Sequence, residues 1–262
     1  MARIDKFLKA VQDYEGSDLH ILSGTVAKIR IYGRLRPLNL PPMKDEQVRS
    51  LLYEILDERK RRRFEEKKEL DFAYSVPGLA RFRVNYFCHK DGMGGVFRLI
   101  PTRIRTLEEL NIPSVVESFC HLRNGLVLVT GPTGSGKSTT LAALIDYINR
   151  NFSKHVITIE DPIEYVHMNK RSVITQRELY RDTPSFADAL REAARQDPDV
   201  ILVGEMRDLE TMRLAVSLAE MGFLVFATLH TNTAAKTIDR IINVFPPEQQ
   251  PQIRTMLSYS LK

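Results

Sequence analysis

The segment Gly131–Ser138 is the most chemically informative part of this sequence. It reads Gly-Pro-Thr-Gly-Ser-Gly-Lys-Ser and fits the pattern G-x-x-x-x-G-K-[ST] at every fixed position. An apolar run, 126–129, precedes it, and an Ala- and Leu-rich stretch, 139–145, follows it. This is the strand–loop–helix context of a phosphate-binding loop, in which backbone N–H groups and a helix N-terminus face an anion. In such a loop Lys137 reaches the β- and γ-phosphates and the Ser138 hydroxyl ligates Mg²⁺. The pattern predicts a nucleoside triphosphate site formed by Thr133, Gly134, Ser135, Gly136, Lys137, Ser138 and Thr139.

Two further apolar runs end in carboxylates. Val200–Val203 is followed by Gly204 and Glu205, and a carboxylate at the end of a buried strand can activate the attacking water in phosphoryl transfer. We therefore interpret Glu205 as the base or water-orienting group, the alternative being a surface Glu after a buried strand. Glu160 follows the run 155–159 in the same way. It is interpreted as a ligand of metal-bound water or an accessory base, and an ordinary turn at a strand end is the alternative.

One histidine and three arginines complete the set of candidate residues. His230 emerges at the end of an apolar run, where its side chain can contact the γ-phosphate; a hydrogen-bonded core histidine is the alternative. Arg81 and Arg83 share one face of an alternating segment, and Arg98 lies on the apparent partner strand. Like charges side by side are unfavourable without an anion between them. These arginines are therefore candidates for sensing the γ-phosphate across a domain boundary, and exposed strand-face arginines are the alternative.

The elements that must position these groups follow from hydrophobic periodicity. Strands are predicted at 126–130, 155–159, 200–204 and 223–228, alternating with helices at 137–150, 185–194, 208–221 and 234–243. This alternation predicts an α/β fold with a mostly parallel sheet covered on both faces. Ligands of such sheets bind at the carboxyl ends of the strands, where the phosphate loop, both carboxylates and the histidine fall. Asp208 is interpreted as the N-cap of the helix that follows it.

The first hundred residues predict a separate α+β domain. One helix is expected at 3–15 and another begins at Asp45 as its N-cap. Short strands are expected at 18–22 and 28–32, with three more strands between 70 and 100. The predicted organisation is a domain at 1–100, a linker at 101–113 and a nucleotide-binding domain at 114–262.

Composition limits the classes of protein that fit. Of the 262 residues, 43% are hydrophobic and 27% are charged, which are globular values. The net charge of +5 admits a polyanionic partner, but the basic run Arg59–Arg63 is followed at once by acidic residues, as on a solvated helix face. The two cysteines form no metal or disulfide pattern. The apolar runs are too short to cross a bilayer, and residues 1–6 lack a signal-peptide core. We expect a soluble intracellular protein.

Together the motifs resemble the secretion-ATPase superfamily of type II secretion and type IV pilus motors, and within it the pilus retraction ATPases. The resemblance covers nearly all of the chain. Segment Gln176–Glu178, with Arg181–Thr183, resembles the retraction branch. Arg83 and Arg98 match the two catalytic arginines of the family, and Arg81 is a third candidate. The sequence boxes that carry the resemblance are Gly131–Ser138 (Walker A), Glu160–Glu164 (Asp box), Asp197–Asp208 (Walker B) and the His box around His230.

The resemblance implies a RecA-like P-loop ATPase domain preceded by a smaller PAS-like domain. It implies ATP and Mg²⁺ as cofactors, with the metal held by Ser138 and by Glu160 through water. It further implies a homo-hexameric ring in the bacterial cytoplasm, peripheral to the inner membrane. Its partners would be the inner-membrane pilus platform protein and the pilin machinery, with no specific nucleic acid. ATP hydrolysis would then power pilus retraction and twitching motility.

Three alternatives stay open at this point. One is an extension or secretion ATPase of the same superfamily, although the four-cysteine metal site usual there is absent from this sequence. The others are a nucleic-acid translocase, because the chain is basic, and a regulatory scaffold that binds ATP without turning it over. The chain stops at Leu261–Lys262, in what reads as a helix, whereas the family continues. We therefore expect the C-terminal part of the motor to be missing.

Overall fold

The computed structural model describes residues 2–100 and 103–262 of the chain. The chain divides into two units, Met1–Thr102 and Arg103–Lys262. Each unit has its own hydrophobic core, so each is described by itself.

An antiparallel sheet with helices on one face forms the first unit. In residues 2–100 the sheet has six strands in the order β3-β2-β1-β6-β5-β4. The strands are β1 (Asp18–Leu22), β2 (Lys28–Ile31), β3 (Arg34–Pro37), β4 (Glu69–Val76), β5 (Ala80–His89) and β6 (Gly92–Ile100). Apolar residues of one sheet face share a core with the helices α1 (Ile4–Asp13), α2 (Asp45–Tyr53) and α3 (Glu58–Lys67). The strict alternation predicted for β5 is confirmed, because Phe82, Val84 and Tyr86 are fully buried and the intervening Arg83 and Asn85 are not.

Two details of the first unit differ from the sequence prediction. Strand β3 was not predicted from the sequence. It ends at Pro37, and on an edge strand the missing N–H of proline costs no ladder bond. The N-cap role predicted for Asp45 is wrong, since Lys44 occupies the cap position. The Asp45 carboxylate instead accepts hydrogen bonds from the Met93 N–H at 2.7 Å and the Ser23 hydroxyl at 2.9 Å.

The second unit is built on a parallel sheet, as the alternation of strands and helices predicts. In residues 103–262 the sheet has five strands in the order β7-β11-β10-β8-β9, and every pairing is parallel. The strands are β7 (Gly125–Thr130), β8 (His155–Glu160), β9 (Val173–Glu178), β10 (Val200–Val203) and β11 (Leu224–Leu229). The helices are α4 (Ser114–Glu117), α5 (Lys137–Asn151), α6 (Phe186–Ala193), α7 (Leu209–Glu220), α8 (Ala234–Val244) and α9 (Gln250–Ser260). Four of the five strands were predicted; β9 was missed because it is an edge strand whose second half is polar.

Helices cover both faces of this sheet. Val200 and Leu202 of β10 belong to a buried cluster with residues of α5. Ile201 and Val203 of the same strand belong to a cluster with residues of α6, α7, α8 and α9. A central strand that is apolar at every position fits burial on both faces. Its carboxyl end is therefore the place where polar side chains can reach solvent and ligands.

The expected linker, Pro101–Pro113, is only partly described. Pro101 and Thr102 lie outside the described residues. Further along, Leu107 is buried in the same cluster as residues of α5. At the other end of the chain, helix α9 ends at Ser260 and Leu261 forms a parallel bridge with Leu126 of β7, so the chain does not stop inside a helix. No helix within residues 2–100 and 103–262 combines the length and apolar character that a membrane span requires.

Asp208 caps helix α7 as predicted, because its carboxylate accepts a hydrogen bond from the Thr211 N–H at 2.8 Å. We expect Asp208→Ala to lower the free energy of unfolding of the second unit by about 1 kcal/mol, the usual cost of a lost N-cap. Urea unfolding of the full chain measures the change. Asp208→Ser is the matched control, because a hydroxyl can also accept the bond; an equal loss in both variants would contradict the capping role.

Candidate nucleotide-binding site

The predicted phosphate loop lies between strand β7 and helix α5. Gly136 is the N-cap of α5 and has φ 93°, a left-handed conformation that favours glycine. Among the described residues no side chain caps this helix. By contrast, helices α6, α7 and α8 are capped at their N-termini by the side chains of Ser185, Asp208 and Thr233. The first N–H groups of a helix have no partner within it and carry positive potential. The start of α5 is therefore suited to bind an anion.

The Lys137 side chain folds back over the loop. Its Nζ donates to the carbonyl oxygens of Gly131 at 2.8 Å and Pro132 at 3.0 Å. These bonds hold a positive charge directly above the loop, beside the start of α5. A phosphate group held by the loop would lie within reach of this ammonium.

Glu205 and His230 lie beside this lysine. Nε2 of His230 is 3.1 Å from Oε1 of Glu205, and its Nδ1 is 3.4 Å from Nζ of Lys137. A lysine ammonium only donates and a carboxylate only accepts. These partners assign the histidine proton to Nε2 and leave Nδ1 as the acceptor. The first residue of α5 and one residue from each of the loops after β10 and β11 are thus linked at the carboxyl edge of the sheet.

Glu205 is held in its charged form. Its Oε2 is 2.7 Å from Nη2 of Arg207. Partial burial raises the pKa of Glu205, but the hydrogen bond and charge of Arg207, together with His230, lower it below its usual value. A charged carboxylate is the form that can accept a proton or orient water.

Glu160 lies in a pocket next to the phosphate loop. Thr158 donates to its Oε1 at 2.7 Å and Nε2 of Gln176 donates to the same oxygen at 3.2 Å. Burial raises the pKa of Glu160 to about 7, although these two hydrogen bonds lower it. A nearby cation would favour its charged form. The polar residues lining the pocket include Ser138, Thr158, Glu160, Tyr165, His167 and Thr228.

The oxygen donors of this pocket fit a hard divalent cation. The Ser138 hydroxyl and the Glu160 carboxylate line the same cavity. In the described part of the chain, no cluster of three or more His, Cys, Asp or Glu side chains could hold a metal ion by itself. Mg²⁺ commonly keeps several waters and takes one or two protein ligands together with substrate phosphates. The donor set is consistent with that mode of binding.

The three candidate arginines lie together in the first unit. Arg83 of β5 is directly opposite Arg98 of β6. Carboxylates of the same unit pair with both of these arginines. Arg83 binds Asp71 at 2.7 Å and Arg98 binds Asp18 at 2.9 Å. Arg81, on the same strand as Arg83, donates to the Ser75 hydroxyl at 3.1 Å.

Three polar residues around Glu160 were not predicted from the sequence. Thr158 lies between the apolar residues Ile157 and Ile159 of β8, and this single polar residue at a buried position was the available signal. Gln176 belongs to the unpredicted strand β9. Tyr165 follows the Asp box, and its hydroxyl is 3.1 Å from Oγ1 of Thr139, next to Ser138. Their roles depend on contacts between distant parts of the chain.

Gly204 allows the ends of β10 and β8 to approach closely. Its N–H donates to the Ile159 carbonyl at 2.8 Å. A Cβ at this position would lie 3.1 Å from that oxygen and 3.2 Å from Cα of Glu160. We expect Gly204→Ala to lower the free energy of unfolding by about 1–3 kcal/mol and to slow nucleotide hydrolysis by displacing Glu160. Urea unfolding and a phosphate-release assay measure both effects, and a variant unchanged in both would refute this account.

Strand, glycine loop and helix, with Lys137, Glu205 and His230 converging at the strand ends, define a P-loop ATPase domain. The family model described as "Type II/IV secretion system protein" matches residues 2–259. The chain therefore belongs to this family of secretion ATPases.

Comparison with individual relatives specifies the kind of secretion ATPase further. The chain is 55% identical over 246 residues to the type IV pilus retraction ATPase PilT of Pseudomonas aeruginosa, covering 94% of this chain and 72% of that protein. It is 53% identical over 233 residues to a twitching motility protein of Neisseria gonorrhoeae, covering 89% and 62%. A crystal structure of the pilus retraction motor PilT with bound ADP matches with a TM-score of 0.93 and 47% identity, covering 100% of this chain and 76% of that one. The chain is an ATPase of the pilus-retraction type.

Proposed function

We propose that this protein hydrolyses ATP in a Mg²⁺-dependent reaction and that a homo-hexameric ring of it retracts type IV pili. The observation that carries the proposal is the linkage of Lys137, Glu205 and His230 at hydrogen-bond distances beside the phosphate loop. This linkage occurs in a chain whose entire length matches a structure of a pilus retraction motor. That relative binds ADP, which supports an adenine nucleotide here.

Each residue of the site has a role that its geometry supports. The loop, with the start of α5, binds the β- and γ-phosphates, and Lys137 neutralises their charge. Glu205, held charged by Arg207, orients the attacking water or accepts its proton. His230 joins Glu205 to Lys137, so its position depends on what the lysine binds. The loop and helix-start residues proposed to contact ATP are Thr133, Gly134, Ser135, Gly136, Lys137, Ser138 and Thr139.

Mg²⁺ would neutralise phosphate charge when it is bound, with Ser138 as a direct ligand and Glu160 holding its water. Arg83 and Arg98, with Arg81, are proposed to stabilise the negative charge that develops on the γ-phosphate. P-loop enzymes often receive such an arginine from another domain or subunit. The ion pairs with Asp71 and Asp18 keep two of these guanidinium groups oriented on one face of the first sheet.

The protein is further proposed to work in the bacterial cytoplasm, peripheral to the inner membrane, on the pilus platform protein and the pilin machinery. These partners follow from the relationship to retraction ATPases. The proposed domain division is a PAS-like domain at 1–100, a linker at 101–113 and a RecA-like domain at 114–262.

Removing the gene from its host tests the motor proposal. Cells are expected to keep their pili and to lose twitching, and the wild-type gene but not a Lys137→Ala copy should restore movement. Cells without pili would instead indicate an extension motor.

In vitro, EDTA should abolish hydrolysis by the purified chain and Mg²⁺ should restore it, while light scattering with an ATP analogue should detect a hexamer. Hydrolysis that survives EDTA, or a monomer under all nucleotide conditions, would contradict the corresponding part.

A further inference from the structure

Gln176 of strand β9 makes three hydrogen bonds beside the nucleotide-binding site. Its Nε2 donates to the Tyr165 carbonyl at 2.8 Å and to Oε1 of Glu160 at 3.2 Å. Its Oε1 accepts a bond from the His167 N–H at 2.8 Å. Both N–H bonds and the carbonyl of this amide are therefore used, and all three partners lie at or just after the end of strand β8.

Two backbone groups fix the orientation of this amide. The Tyr165 carbonyl can only accept a hydrogen bond and the His167 N–H can only donate one. A flipped amide would place like groups against each other at both contacts. The remaining Nε2–H of Gln176 is thus directed at Glu160 by contacts that do not involve Glu160 itself.

This arrangement restricts the Glu160 side chain. Two donors, Thr158 and Gln176, meet the same carboxylate oxygen from different strands. The carboxylate is thereby held in the pocket that it shares with Ser138.

The same amide also connects this pocket to the start of helix α5. Tyr165, whose carbonyl binds Gln176, brings its hydroxyl to within 3.1 Å of Oγ1 of Thr139. Thr139 follows Ser138 in the first turn of α5. Gln176 thus joins the Asp box to the helix that carries the phosphate loop through one intervening residue.

We infer that Gln176 is a positioning residue for ATP hydrolysis, which acts by orienting the Glu160 carboxylate and not by touching nucleotide. The inference builds on the proposed role of Glu160. Removing a hydrogen-bond partner that orients a functional carboxylate commonly lowers activity about 10–100-fold. The Gln176 side chain of strand β9 donates this bond directly to the Glu160 carboxylate.

Gln176→Met in the full-length chain tests the inference, because methionine is similar in length and makes none of the three bonds. We expect kcat for ATP hydrolysis to fall by about 10-fold or more, while the dissociation constant for ADP changes little. Gln196→Met, the same substitution at an exposed site, is the matched control and should leave kcat unchanged. Thermal unfolding of each variant checks that it is folded.

A double-mutant cycle with Glu160→Gln separates positioning from a purely structural role. If Gln176 acts through Glu160, then Gln176→Met should change kcat by less than about twofold in the Glu160→Gln background. The same loss in both backgrounds, or no loss in the wild-type background, would overturn the inference. Should Glu160→Gln itself leave kcat unchanged, the proposed role of Glu160 fails and the inference fails with it.

Gln176→Glu keeps the test decisive if the methionine variant does not fold. An ionised glutamate has the same shape and can still accept the His167 N–H, but it has no hydrogen to donate to Glu160 or to the Tyr165 carbonyl. The same fall in kcat is expected. Wild-type turnover by a folded Gln176→Glu protein would show that the donor to Glu160 is dispensable.

Discussion

Lys137→Ala is expected to abolish ATP hydrolysis and to weaken nucleotide binding. The Lys137 ammonium is the positive charge held directly over the phosphate loop, 2.8 Å from the Gly131 carbonyl. Its Nζ also lies 3.4 Å from Nδ1 of His230, so the substitution removes one end of the chain of contacts that reaches Glu205. Losing one preorganised donor to developing charge costs about 10²-fold or more in turnover.

The measurement is steady-state phosphate release together with calorimetric binding of ADP. Lys67→Ala is the matched control, because it removes the same charge from an exposed position on helix α3 of the first unit. Lys137→Arg should not rescue activity, since a planar guanidinium differs from an ammonium in shape and in the directions of its donors. A Lys137→Ala protein that is folded and hydrolyses ATP at the wild-type rate would exclude the phosphate-loop assignment.

The parts of this site that were predictable are those encoded locally. The glycine loop and its flanks occupy consecutive residues, so the motif specifies both the strand and the helix around Gly131–Ser138. The placement of Glu205, Glu160 and His230 followed from one topological rule, that parallel strands meet at the same edge of the sheet. The structure brings Glu205, His230 and Lys137 within hydrogen-bond reach of one another.

The parts that were not predictable depend on contacts between distant residues. Strand β9 is polar in its second half because it lies at the sheet edge, so periodicity did not reveal it. The link from Gln176 to Glu160 spans 16 residues and exists only because β9 pairs with β8. The carboxylates that pair with Arg83 and Arg98 come from other strands of the first sheet, 12 and 80 residues away. The sequence shows the like charges but not these partners.

Asp45 shows a different limit of prediction from the sequence. Its position at the start of α2 matched an N-cap, and helix α2 does begin there. The carboxylate instead binds Met93, which is 48 residues away. A local preference worth about 1 kcal/mol gives way when a distant N–H offers an equivalent bond in the folded state.

Glu205→Gln is expected to lower kcat by about 10²-fold or more while ATP binding is retained. The substitution preserves the shape of the side chain, and its carbonyl oxygen can still accept the His230 Nε2–H. It removes the negative charge that Arg207 and His230 stabilise, and with it the capacity to accept a proton from water. Nothing in the phosphate loop changes, so ATP should bind and remain intact.

Single-turnover hydrolysis and binding of unhydrolysed ATP measure the two halves of this expectation. Glu220→Gln, at an exposed position near the end of α7, is the control for loss of one carboxylate. Wild-type hydrolysis by Glu205→Gln would show that Glu205 serves only as an ion-pair partner of Arg207, and Glu160 would then be the remaining candidate base. If binding were lost as well, the carboxylate would have to act on the loop through His230 and Lys137, because these are the residues that connect it to the phosphate site.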